Sequence, residues 1–153
     1  MSNPDALQPS QAAFTLIELL TVLAIVAILG TLALPSYQAA LCKARRAEAK
    51  AVLLSLMQQQ EQVYAQRSAY VAFSADSSAS DARQFKWFSG ATPATSAYEI
   101  EASACTGRLI AECIALSAHP GTSNVNPHFL DRQCGTLRID SYGRKTADGE
   151  GCW

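Results

Sequence analysis

Five cysteines, two histidines and one carboxylate in apolar surroundings are the side chains of this chain whose types and spacing bear on chemistry. Cys105, Cys113, Cys134 and Cys152 crowd the C-terminal third. Such density in a small domain points to disulfides formed in an oxidising compartment. Four cysteines allow three pairings; we prefer Cys105 with Cys113 and Cys134 with Cys152, because each closes a short local loop. Closing the second loop contributes about 3 kcal/mol in the chain-entropy model. Zinc is the weaker reading, since no CxxC pair and no histidine stands at ligand spacing. His119 and His128 each adjoin a proline in loop-like sequence, neither accompanies a nucleophile in a recognisable motif, and no glycine-rich phosphate loop is present. The expectation is a chain that is not an enzyme and holds neither cofactor nor metal. Cys42, the odd cysteine, reads as a small apolar side chain against neighbouring helices in preference to a link between two chains.

Arg132, Arg138, Arg144 and Lys145 gather near the tail, with Tyr142 and Trp153 in the same stretch. A DNA contact requires such a mixture of positive and stackable groups. Asp131, Asp140, Asp148 and Glu150 dilute it, so DNA is the minority expectation. Lys43, Arg46 and Lys50 share a helical face by spacing, close to Glu48. The whole chain carries 12 Lys and Arg against 13 Asp and Glu, and this near balance gives no general attraction to an anionic partner.

The carboxylate is Glu18, the one ionisable group between Phe14 and Leu34. As a helix those residues would span roughly 30 Å, about one hydrocarbon core. Val22, Leu23, Ile25, Val26, Ile28 and Leu29 make the segment apolar on every face. A charge there costs roughly 2.5–3.5 kcal/mol at the bilayer centre and calls for a partner. Met1 to Ala13 is polar, with Pro4 and Pro9 set against helix, and reads as a leader. An ordinary secretory signal has its small residue after the apolar run; this one has it before. Lys43, Arg45, Arg46 and Lys50 come after the apolar run, which by the positive-inside tendency would put the C-terminal domain in the cytoplasm. The cysteines point the other way, and we give them the greater weight.

The run Ala-Phe-Thr-Leu-Ile-Glu-Leu followed by apolar sequence resembles the prepilin signature of the type IV pilin family. The resemblance implies a cut by a prepilin peptidase between Ala13 and Phe14 and N-methylation at Phe14. It also implies a role for Glu18, the fifth mature residue, in pairing with the amino terminus of another subunit during assembly. The usual residue before the cut is Gly, and Ala13 departs from it. Pro35 stands where pilins carry a helix-bending proline. The stretch from Cys134 through Tyr142 to Lys145, ending Gly151-Cys152-Trp153, resembles PilE-like tails. The implied function is a structural subunit, a minor pilin, of a type IV pilus. It would be held in the inner membrane before assembly with its C-terminal domain in the periplasm, and then displayed outside the cell. Its implied partners are other pilin subunits, the peptidase and the inner-membrane assembly machinery. Roles in adhesion, twitching motility or DNA uptake stay open. The alternatives are a DNA-binding competence pilin and a type II secretion pseudopilin, the latter disfavoured by the Cys134–Cys152 loop.

The elements that must carry these groups follow from the pattern. From Ser36 to about Arg67 good helix formers dominate, and Ala49, Leu53, Leu56, Met57 and Tyr64 recur at helical spacing. Gln58, Gln59, Glu61, Gln62 and Arg67 leave the opposite side polar. Pro35 is expected to bend or locally melt the helix. Ser74 to Asp81 reads as a loop, with Phe85, Trp87 and Phe88 as anchors. Tyr98–Ala102, Arg108–Ala118 and Thr136–Asp140 read as strands, with His119-Pro120-Gly121 ending the second. The expected class is α+β: a long N-terminal helix packed on a small antiparallel sheet with a disulfide-stapled tail loop. The expected organisation is a leader at 1–13, a membrane and assembly helix at 14–35 and a globular domain at 36–153.

Overall fold

A computed structural model describes residues 15–153, the side chains of residues 32, 33 and 35 excepted. The leader, Ala13 and Phe14 lie outside the described residues. Two compact units divide the chain at residues 1–40 and 41–153.

The described part of the first unit is the beginning of helix α1 (Leu16–Arg67). Thr15 caps it, its Oγ1 accepting from the Glu18 N–H at 3.3 Å, which satisfies one of the free N–H groups of the first turn. The helix is continuous through Pro35. Leu16, Ile17, Leu19, Leu20, Val22, Leu23, Ile25, Val26, Ile28 and Leu29 are all exposed, and α1 is long and apolar enough to cross a membrane.

In the second unit the remainder of α1 supplies one wall of the core and a four-stranded sheet the other. The strands are β1 (Tyr98–Ala104), β2 (Ile114–Pro120), β3 (Leu137–Asp140) and β4 (Lys145–Ala147), in that spatial order and antiparallel throughout. Alternation sends Tyr98, Ile100, Ala102, Ile114, Leu116, Ala118, Leu137 and Ile139 inward, where they meet Ala49, Leu53 and Leu56 of α1; this is the period-2 against period-3.6 match that makes a two-layer core. Between α1 and β1 the chain covers the β1 edge. Phe73 exchanges backbone bonds with Ala102, and Trp87 C=O and Ser89 N–H bond Ile100 and Tyr98. Phe85 is buried and stacks on Phe73, while Trp87 and Phe88 are half-buried.

Three expectations are corrected. The second strand starts at Ile114, not Arg108: residues 106–112 form successive turns, closed by the Cys105–Cys113 disulfide and the Cys105 N–H to Cys113 C=O bond. That strand runs through His119 to Pro120, so His119 is a strand residue rather than a loop one. Lys145–Ala147 is a fourth strand, too short to show alternation in the sequence.

Candidate functional site

The disulfides join Cys105 to Cys113 and Cys134 to Cys152, with Cα–Cα distances of 5.4 and 5.7 Å. Cys42 has no disulfide partner, and burial raises its thiol pKa, with the Asp131 carboxylate adding to the effect. The first bridge closes the β1–β2 loop. The second ties the tail beside Gln133, which approaches Gly149 too closely for a side chain there: an added Cβ would meet its carbonyl at 1.8 Å.

The side of the sheet turned away from α1 carries the polar alternates. Register sets Glu101 opposite Ser117, Ser117 opposite Arg138, Arg138 opposite Thr146, and Ala115 opposite Asp140. Over this face opens a cleft of about 820 Å³. Its floor is Ala115, Arg138, Asp140 and Thr146, with the inward-facing Ile139 between Arg138 and Asp140 on β3; one wall is Cys105, Thr106 and Arg108 of the β1–β2 loop, the other Tyr142 and Arg144 of the β3–β4 hairpin. Tyr142 is 60% exposed.

The β3–β4 hairpin is shaped by its own residues. Gly143 donates to Asp140 C=O at 2.9 Å and Asp140 donates to Arg144 C=O at 3.1 Å. With Gly143 at φ 79°, this is a three-residue loop whose left-handed position favours glycine. Asp140 Oδ1 also accepts the Tyr142 and Arg144 N–H groups, each at 3.0 Å.

Three guanidiniums line the cleft, each beside a carboxylate. Arg144 Nε donates to Asp140 Oδ2 at 2.7 Å, Arg138 Nη1 to Asp148 Oδ1 at 2.7 Å, and Arg108 Nη1 lies 3.9 Å from Glu112. The Arg138 bond and the Thr136 N–H hold Asp148 at about 2, well below the usual carboxylate range. With this offsetting charge, what the cleft offers an anion is oriented donors more than net field. Planar guanidiniums beside an exposed phenol suit phosphate oxygens and base edges.

Of the four cations that the sequence singled out for a DNA contact, the structure brings Arg138 and Arg144 into the cleft. Arg132 is exposed but outside its lining. Lys145 lies on the other side of β4, opposite Ile139, its ammonium 5.6 Å from the Trp153 ring centre. Arg108 was missed as a site residue because it read as strand.

Sequence reasoning also missed a buried node. Arg46, expected on a charged face with Lys43 and Lys50, is buried and forms a two-pronged bond to Asp131: Nε to Oδ2 at 2.9 Å and Nη2 to Oδ1 at 2.8 Å. Tyr98 Oη donates to Asp131 at 2.5 Å and the Cys134 N–H at 3.0 Å. Burial pushes the Asp131 carboxyl up, but the donors from Arg46, Tyr98 and Cys134 outweigh it and hold it at about 2. Burial, and after it the same carboxylate, raises the Tyr98 phenol.

A protein-family model described as type IV minor pilin ComP, DNA uptake sequence receptor, matches residues 35–138, and one described as prokaryotic N-terminal methylation motif matches residues 8–34. No curated protein matches the chain. Among solved structures, a type IV pilin from Shewanella oneidensis is similar at 22% identity and a TM-score of 0.47, over 73% of this chain and 97% of that one. The non-core minor pilin PilV of Neisseria meningitidis is similar at 15% identity and a TM-score of 0.47, over 72% of this chain and 90% of that one.

Proposed function

We propose, from the premise that this chain belongs to the family of the type IV minor pilin ComP, DNA uptake sequence receptor, that it is a pilus subunit whose outer sheet face receives duplex DNA. The chain is a type IV minor pilin with an N-terminal methylation motif, which favours the pilus over the secretion pseudopilin among the alternatives. The observation that carries the DNA reading is the cleft: Arg108, Arg138 and Arg144 converge on it beside the exposed ring of Tyr142. The minority expectation from sequence thus becomes the leading one, with Arg108 taking the place of Arg132 and Lys145.

The route to the fibre is part of the same reading. A prepilin peptidase cuts between Ala13 and Phe14 and the new terminus is methylated. Glu18 pairs with the charged amino terminus of a neighbouring pilin subunit, since within apolar packing each charge gains most from the other. Pro35 bends α1. The C-terminal domain faces the periplasm, where its disulfides form, and inner-membrane machinery then polymerises the subunit into the extracellular pilus. The role is structural and receptive, with no catalytic step.

Duplex binding by the full-length protein in detergent, measured by fluorescence anisotropy across salt concentrations, tests this. Two phosphate contacts would give log K against log salt a slope of about −1.8, and three a slope of about −2.7. The triple variant Arg108→Ala/Arg138→Ala/Arg144→Ala is expected to lose binding. Wild-type protein that ignores DNA at 50 mM salt (about the low end of the usual range), or a triple variant that binds as wild type, would sink the DNA reading. Intact-mass analysis from the host checks the processing: a methylated start at Phe14 supports it, and a retained leader refutes it.

A further inference from the structure

Of the three cleft arginines, Arg144 is held differently from the others. Arg138 spends a terminal nitrogen on Asp148, and Arg108 is only loosely near Glu112. Arg144 is gripped by its inner nitrogen, Nε, which leaves both terminal nitrogens free of side-chain bonds among the described residues. The grip is firm, because Asp140 has a side chain only 11% exposed and is itself fixed by two backbone N–H groups. Arg144 meanwhile is 73% exposed at the side chain.

A guanidinium fixed through Nε has its outer edge aimed and its rotamers already restricted, so less freedom is lost when it meets a planar acceptor pair. The acceptor pair on DNA that matches such an edge is O6 and N7 of guanine in the major groove. The groove admits an element of the width of a β-ribbon; β3 pairs with β2 as well as with β4, so what the sheet offers is the β3–β4 turn at residues 141–143 with Arg144 at its base. The cleft beside the hairpin, with Arg138 on its floor and Arg108 on its far wall, then takes the adjoining phosphodiester strand.

We propose that Arg144, oriented by Asp140, reads a guanine edge in the major groove while Arg138 and Arg108 hold phosphates, so that Asp140 is a positioning residue for sequence discrimination. The proposal rests on the DNA reading above and adds to it a division of labour within the cleft.

The test is selection from a randomised duplex pool by full-length protein in detergent, with sequencing of the retained fraction, run beside anisotropy on the unselected pool. Wild type should enrich a guanine-containing core. Arg144→Lys keeps the charge but removes the bidentate edge; it should lose roughly 5- to 150-fold of preference for the selected core over the unselected pool, while the salt slope, which counts phosphate contacts, stays that of wild type. Asp140→Asn keeps a carbonyl oxygen for the two backbone N–H groups but withdraws the acceptor from Nε, and should weaken the same preference in a protein that melts as wild type does. Arg138→Ala should do the reverse: a uniform loss on all sequences and a salt slope smaller by about 1.

An Arg144→Lys protein that enriches the same core as wild type would overturn the proposal while leaving DNA binding intact. So would an Arg144 substitution that lowers binding uniformly with a shallower salt slope, since that makes Arg144 a phosphate contact. Absence of any binding by wild type would instead overturn the DNA reading and this assignment with it.

Discussion

Arg46–Asp131 and Arg144–Asp140 are built from the same two side chains at nearly the same distances, and burial makes them different devices. In the first, the arginine and aspartate side chains are 9% and 0% exposed. In the second they are 73% and 11% exposed. The inner pair joins α1 to β1 and the tail loop through one carboxylate that receives Arg46, Tyr98 and the Cys134 N–H. Its members were desolvated on folding and depend on each other. The outer pair leaves its cation in water, so its stabilising contribution is small and its geometry is available to a partner. The first pair is structural because both of its members are dry, whereas the second leaves its guanidinium open to a partner.

The largest effect that would break this comparison concerns the inner pair. Arg46→Ala strands a buried carboxylate and is expected to cost about 3–5 kcal/mol, read as a drop in thermal or denaturant midpoint; a loss under about 1 kcal/mol would mean that the two pairs are alike. Next comes the bridge beside it. Replacing Cys134 and Cys152 together by serine is expected to cost about 3 kcal/mol, checked by denaturant titration of the full chain in detergent.

Acid sharpens the contrast further. Asp131 is depressed from 3.8 to about 2 in the folded protein, so its stabilisation is present above pH 3.8 and is lost as pH falls towards 2. The amount is roughly 2 kcal/mol. Asp148 titrates in the same window, but its half-exposed pair with Arg138 is screened by solvent. Asp131→Asn should therefore lose most of the acid-dependent decline between pH 5 and 2, measured by thermal midpoint against pH, and an unchanged decline would contradict the assignment. The smallest effect belongs to the outer pair: Arg144→Gln is expected to change stability by less than about 1 kcal/mol, and a larger fall in midpoint would make Arg144 a structural residue.

The elements were largely legible because their periodicities are strong. Ala49, Leu53 and Leu56 mark the inward face of α1, and the alternation at Tyr98–Ala102 marks β1. The polar members of the same faces were harder to read. Arg46 stands three residues before Ala49 and Gln60 four after Leu56, so both continue the buried stripe, and both are buried. Gln60 there binds both backbone groups of Val71, at 2.7 and 3.0 Å. Extending the apolar register through polar residues would have found them; their partners, 85 residues away in the case of Asp131, carry no local signal. The cleft was half legible. A cluster of arginines near one tail was visible, but the split of Arg144 and Lys145 onto opposite sides of β4 depends on register, and Arg108 arrives only once the disulfide folds its loop beside β3. Arg108–Ala118 failed as one strand because Leu109, Ile110, Ile114 and Leu116 look apolar throughout, although Leu109 is 69% exposed.

The hairpin that carries Arg144 owes its shape to Asp140, Gly143 and main-chain bonds. Tyr142 contributes to that shape a backbone N–H, which every residue but proline supplies. Position 142 is therefore decoupled from folding yet placed at the mouth of the cleft. Such a site can change its side chain at almost no cost to the scaffold, so substitutions there would reshape the mouth of the cleft and leave the fold as it is.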